Sequence, residues 1–208
     1  SFSMSLFVWY FGTSKVFDDV QHHTILLGKS YLPLLHDIFR EKKLSADFSL
    51  YLHRPTATDK GMAPPNHDTF YVLSPVPNLL GNVDWDKEKE SYRKKIEKYL
   101  DKTILPGLTK SIVSSKVFTP NDFEQRYLAF NGAAFGMEPL LLQSAWFRPH
   151  NKSEDIKGLY MVGASTHPGA GIPGVLTSAK LLDKVIPESY SSSKFANKKT
   201  GERAYGSV

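Results

Sequence analysis

The residues best suited to chemistry lie in one stretch, Gly163-Ala164-Ser165-Thr166-His167-Pro168-Gly169-Ala170-Gly171-Ile172-Pro173-Gly174. Within it, Gly169 to Gly174 satisfies G-x-G-x-x-G. In a dinucleotide-binding unit the first glycine of that pattern follows a strand directly. A helix and a second strand come next, and an acidic residue about twenty positions on meets a ribose. Here the apolar run GLYMVG ends at Gly163, and Ala164 to Pro168 intervene before the first glycine. Glu188 stands at about the right distance, but no second strand carries it. As a dinucleotide fingerprint the match is accidental. The chemistry of the stretch still suits a ligand. Glycines bare the backbone to close approach, and a helix start offers free N–H groups and the positive end of a dipole. Such a place suits a phosphate or another electron-rich atom. The other reading at this point is a plain glycine-rich connection.

Two further chemistries fail on spacing. Gly163-Ala164-Ser165-Thr166-His167 resembles a G-x-S-x-G nucleophile turn that has lost its last glycine. That turn needs a histidine well downstream, and the only histidine after Ser165 is His167, on the same turn. No metal ligand set is expected either. His22 and His23 are adjacent in what reads as a strand, so they should face opposite sides. His36, His53, His67 and His150 have no partner at ligand spacing.

The elements that must position the glycine stretch read as follows. SLFVWYFG (5–12), HHTILLG (22–28), FSLYLH (48–53), TFYVLSPVP (69–77) and SIVSSKVFT (111–119) read as strands. Residues 31–44 have helical apolar spacing at Leu34, Leu35, Ile38 and Phe39, with Pro33 near the start. After Asp84-Trp85-Asp86, the residues Tyr92, Ile96, Tyr99 and Leu100 mark an amphipathic helix with a charged, solvated outer face. Thr119-Pro120-Asn121-Asp122 is a helix start. The proline- and glycine-rich 54–68 is a loop. GLYMVG (158–163) reads as a short strand and 174–186 as a helix, and the Ser- and Lys-rich tail has the composition of disorder. The pattern is α+β with a mainly antiparallel sheet, followed by a strand–turn–helix of different character.

Composition sets limits on partners. The 208 residues are 41% hydrophobic and 23% charged, a globular balance. The net charge of +5 is partly local, since the last twenty residues hold four Lys or Arg against one Glu. It speaks against nucleic acid as a partner and is compatible with an anionic membrane surface. There is no cysteine, which removes disulfides, thiolate catalysis and cysteine-based zinc sites. No apolar run is long enough to span a bilayer as a helix, and the opening SFSMSLFVWYFG lacks the features of a signal peptide. A sequence that starts inside a strand is expected to be a piece of something longer.

GLYMVGASTHPGAGIPGV closely resembles the C-terminal flavin signature of the bacterial-type carotenoid desaturases, the phytoene desaturase family. FTPNDF (118–123), NGAAFGMEPLLLQSAWFRPHN (131–151), FSLYLHRPTATD, TFYVLSPVPNL and the opening LFVWYFG with HHTILLG resemble the same family, so the likeness runs from about residue 5 to 187. The resemblance implies part of an amine-oxidase-like, FAD-dependent oxidoreductase. Residues 1–125 would be a portion of its substrate domain, 126–187 the return to the FAD-binding domain, and 188–208 a tail. The N-terminal Rossmann half of the family is expected to be missing.

By the same resemblance, FAD would be met by Gly163, Ala164, Thr166, His167, Gly169, Gly171, Ile172, Pro173 and Gly174. Gly163 and Ala164 would lie near the ribityl and phosphate region, and Gly171 to Gly174 would face the ring. Ser165 stands where the family commonly has glycine. Trp146, Phe147 and Arg148 would meet the substrate, a phytoene-like polyene. Arg148 and His150 are polar candidates near the cofactor, Glu138 could orient Arg148 or simply cap a turn, and no residue is assigned as catalytic. The implied reaction is desaturation by hydride transfer to flavin and proton loss, in carotenoid biosynthesis. The implied location is cytoplasmic and peripheral to membrane. The competing expectation is a non-catalytic fragment or apolar-lipid-binding module that lacks the FAD half.

Overall fold

A computed structural model describes residues 1–187. The tail 188–208, with Glu188, lies outside the described residues. The chain divides into two compact units, Ser1–Pro139 and the part from Leu140 onward.

The first unit is built on five strands: β1 (Ser5–Thr13), β2 (His23–Leu26), β3 (Leu50–His53), β4 (Asp68–Val76) and β5 (Ile112–Phe118). They form one sheet in the order β2-β3-β4-β1-β5, with every pairing antiparallel. Period-two alternation dictates the faces. On β4 each second residue is buried, from Asp68 through Phe70, Val72 and Ser74 to Val76. Register carries this face across the sheet, because Trp9 pairs with Val72 and Phe11 with Phe70.

That face is covered by α2 (Trp85–Thr103), which follows α1 (Tyr31–His36) in the chain. The α2 stripe Trp85, Tyr92, Ile96 and Leu100 is buried against Phe7, Trp9, Leu52 and Val72. Each such side chain contributes roughly 1.5–3 kcal/mol by leaving water. The start of α2 is set by Asp84, whose carboxylate accepts from the Lys87 N–H. Of the stripe its apolar spacing predicts, Tyr92, Ile96 and Leu100 are buried and Tyr99 is partly buried, and Trp85, the first residue of the helix, joins them.

The remaining helices of this unit are short. Helix α1 passes into a π-helical turn, Asp37–Glu41, and stops where Lys42 turns left-handed (φ 53°). Helix α3 (Leu108–Ser111) leads into β5, and α4 (Pro120–Tyr127) follows it. At the start of α4 the Asp122 carboxylate accepts from the Thr119 N–H at 2.8 Å. Residues 130–138 fold back on the N-terminus: Ser5 donates its hydroxyl to the Gly132 carbonyl at 2.6 Å, and Ala134 N–H meets the Met4 carbonyl at 3.1 Å.

The second unit is short turns followed by α5 (Ile172–Val185). The turn and helix of the expected strand–turn–helix are present. The run 158–163, read as a strand, makes a single bridge between Lys152 and Tyr160. A strand exists only where a neighbour accepts its ladder, and among the described residues this run has no other strand partner.

Candidate functional site

The glycine turn is held from beneath by two buried polar residues. Asn151 donates its amide to the Ser178 carbonyl and hydroxyl oxygens, both at 3.0 Å, and to the Met161 carbonyl at 3.2 Å. The Ser178 hydroxyl also accepts from the Gly163 N–H at 3.3 Å. One amide thus ties the 151 loop, the 160–163 run and α5 together. Sequence reasoning did not single out Asn151 or Ser178. A small hydroxyl on the buried side of a helix was the only signal.

Arg148 holds the turn from the side. It is 4% exposed, and its guanidinium donates to the Ala164 carbonyl at 2.7 Å. Burial pushes its pKa down from the usual arginine value. A methyl group placed on Gly169 would lie 3.1 Å from Arg148 Nε. Arg148 therefore lies against the cofactor turn expected from the resemblance, while Trp146 and Phe147, expected beside it on a substrate, are exposed.

The backbone of the turn is open where a ligand would need it. Gly163 (φ 122°) and Gly171 (φ 90°) adopt conformations that favour glycine, and a methyl group at either would meet nothing within 4 Å. Gly174 is the opposite case, since its methyl would lie 2.5 Å from the Gly169 carbonyl oxygen. The His167–Pro168 peptide is cis. Gly171 is the N-cap of α5, Pro173 occupies its first turn, and among the described residues no side chain caps it. Ala164, Thr166, His167 and Ile172 fall on the same turn; Thr166 is buried and Ile172 is exposed. These residues fit the edge of a large planar or anionic cofactor, with bare backbone leading to uncapped helix N–H groups.

Beside the turn is a cavity of about 700 Å3 lined by Trp146, His150, Asn151, His167, Leu181 and Val185, among others. His167 donates Nδ1–H to the Ala145 carbonyl at 2.8 Å. His150 Nδ1 meets Glu154 Oε1 at 2.7 Å, and the Trp146 ring lies 4.7 Å from the His150 ring. The volume falls in the range of small-molecule sites.

A second constellation corrects the reading of the histidines. His22 and His23 do not face opposite sides. The strand β2 starts at His23, so His22 lies outside the pleat, and the two rings are 4.3 Å apart. His23 pairs directly with His53 across β2 and β3. One ring nitrogen from each of the three lies within 4.8 Å of the others. Burial first, and then His22 and His23, hold the His53 pKa below the usual imidazole value. Sequence spacing could not show this trio, because strand pairing across a long connection creates it.

No family profile matches the chain. Similarity to individual proteins is high. The chain is 52% identical over 192 residues to the phytoene desaturase (neurosporene-forming) of Rhodobacter capsulatus, an alignment covering 90% of this chain and 37% of that protein. It is 52% identical over 190 residues to the phytoene desaturase (lycopene-forming) of Pseudescherichia vulneris, covering 90% and 38%. It is 41% identical over 201 residues to the 4,4'-diapophytoene desaturase (4,4'-diaponeurosporene-forming) of Staphylococcus haemolyticus, covering 93% and 39%. These similarities make the chain homologous to carotenoid desaturases. More narrowly, the chain is homologous to the bacterial phytoene desaturases and spans little more than a third of their length.

Proposed function

We propose that this chain is the C-terminal portion of an FAD-dependent phytoene desaturase. In this reading it supplies part of the substrate domain and the second flavin contact. The observation that carries the reading is the open glycine turn at an uncapped helix start, in a chain 52% identical to a phytoene desaturase. FAD, when bound, would supply a hydride acceptor for dehydrogenation of a carotenoid precursor such as phytoene.

The chain's own residues would do the rest. The backbone at Gly163 and Ala164 would approach the ribityl and phosphate region. Thr166, His167 and Gly169 would shape the turn. Gly171, Ile172, Pro173 and Gly174 would present the N-terminus of α5, which favours negative charge on whatever it faces. Arg148 is better suited to holding this turn than to touching a hydrocarbon, which offers no group to bond. Trp146 and Phe147 would provide apolar surface for a polyene and keep water from it. A substrate dissolved in lipid needs an interfacial contact, and the exposed Leu141, Leu142, Trp146 and Phe147 suit one. In this reading the contact is peripheral; among the described residues no helix is long and apolar enough to cross a membrane.

The test compares the 208-residue chain with a protein extended to the length of the relatives. Each is incubated with FAD, desalted and assayed for flavin absorbance and for conversion of phytoene to coloured polyenes. The reading expects the extended protein to retain FAD and form colour, and Gly171→Val in it to lose both. An extended protein that retains no flavin and leaves phytoene unchanged would overturn it. Tight binding of apolar lipid by the short chain, with no flavin effect in either, would favour a lipid-binding module.

A further inference from the structure

The trio His22, His23 and His53 lies in the first unit, on the sheet face opposite the α2 core. That face carries Tyr10, Tyr51 and Tyr71, which register places beside one another and beside His53. The His53 ring is 4.6 Å from the Tyr71 ring. Nothing in the flavin or substrate reading uses these histidines. We infer that His22, His23 and His53 form a binding site for a divalent transition-metal ion such as Zn2+, bridging the edge strand β2 to β3.

Ring nitrogens already committed elsewhere decide which ones are left. His22 Nδ1 is bonded to the Thr58 hydroxyl at 2.5 Å, and His23 Nδ1 to the Tyr51 hydroxyl at 2.7 Å. A metal-bound histidine characteristically fixes its second nitrogen on such a partner, which sets the tautomer and aims the ring. With both Nδ1 atoms anchored, Nε2 is the atom left to an ion on each ring. His53 Nε2 is hydrogen-bonded to His22 Nε2 at 2.8 Å, a contact that an ion between the rings would replace. The His53 Nδ1 is buried and has no hydrogen-bond partner among the described residues, so none of them holds the His53 ring by a competing bond on its other side.

The distances suit an ion of this size. Zinc binds imidazole nitrogen at about 2.0–2.1 Å, which places two ligand nitrogens of a tetrahedral site about 3.4 Å apart. The trio brackets that value, with one pair at 2.8 Å and all three within 4.8 Å. Small ring rotations would bring them to it. Three neutral imidazoles with no thiolate favour zinc, copper or nickel over calcium or magnesium. The fourth position would be left to water or an outside ligand. An ion here would pin the four-residue edge strand β2 to its neighbour β3.

The full 208-residue chain, without a histidine tag and stripped of metal by a chelator, is titrated with Zn2+ against a chromophoric chelator. A parallel titration with Co2+ is followed by its visible absorption. One ion per chain at micromolar concentration is expected, with a Co2+ spectrum of low coordination number. His23→Gln and His53→Gln should each weaken binding at least about a hundredfold, and Thr58→Val about tenfold. His36→Gln, on α1, should leave it unchanged. His23 is exposed, so H23Q should fold, which circular dichroism checks. The inference is overturned if Zn2+ does not bind below millimolar concentration. It is equally overturned if binding survives in H23Q and in H53Q, or is lost only in His150→Gln.

Discussion

Arg54 and Asp68 close the two ends of the 54–68 loop on each other inside the protein. Arg54 Nε donates to Asp68 Oδ2 at 2.9 Å, and the two side chains are 2% and 1% exposed. The remaining valences are met as well. Arg54 Nη1 donates to the Val20 carbonyl at 2.9 Å. Asp68 accepts from the Phe17 N–H at 2.8 Å and from the Thr56 hydroxyl at 2.6 Å. A buried pair of charges is tolerated only when satisfied in this way. It keeps the loop closed over the end of β3 and the start of β4, with Arg54 next in the chain to His53.

Removing one partner leaves the other charge buried and unpaired. Asp68→Ala is therefore expected to lower stability by about 3–5 kcal/mol. Arg54→Ala should cost a similar amount, and the double variant less than the sum. Urea unfolding midpoints of the three variants check this; additive losses would show that the pair does not act as a unit.

The glycine turn should respond position by position. At Gly174 an added methyl meets the Gly169 carbonyl oxygen at 2.5 Å, and backbone cannot yield as a side-chain end does. Gly174→Ala is expected to cost about 1–3 kcal/mol, the usual cost of overpacking. Arg148→Ala, which removes the bond to Ala164, should cost about 1.5–3 kcal/mol. Both losses should concentrate in the second unit, seen as faster amide hydrogen exchange at 161–176 with β1 and β4 unchanged.

Stability should also fall at alkaline pH. The Tyr92 hydroxyl is pushed up to about 12, chiefly by burial, with Asp47 adding and the Ser74 hydroxyl opposing. Its folded value lies above the unfolded value of 10.0. Its contribution is therefore complete below pH 10 and is lost as pH rises towards 12. A pKa rise of that size corresponds to roughly 2–3 kcal/mol. Tyr71, pushed up to about 12 mainly by burial, acts in the same direction. Tyr92→Phe should flatten part of the alkaline decline, measured by thermal unfolding between pH 8 and 11. An unchanged decline would place the sensitivity elsewhere.

Much of the first unit is legible along the chain, because its signals are local. The continuous apolar run of β1, the alternation in β4 and the spacing of Tyr92, Ile96 and Leu100 state which side chains must leave water. Asp84 and Asp122 mark where helices start. The glycine turn is equally legible, since a left-handed backbone at Gly163 and Gly171 calls for glycine whatever surrounds it.

What the chain order hides is every relation between residues that strand pairing or loop closure brings together. Arg54 and Asp68 read as the two ends of a polar loop, and only folding turns them into one buried pair. His22, His23 and His53 read as unrelated, because side-chain alternation fails at His22, one residue before β2 begins. Asn151 and Ser178 look unremarkable until the 151 loop and α5 meet. The run 158–163 has the composition of a strand but makes one bridge, since composition can propose a strand and only a neighbouring backbone can complete its hydrogen bonds. Local sterics and apolar periodicity were thus settled by the sequence alone. The partners of polar groups were settled by tertiary structure, because a hydrogen bond or ion pair has no existence until both ends arrive.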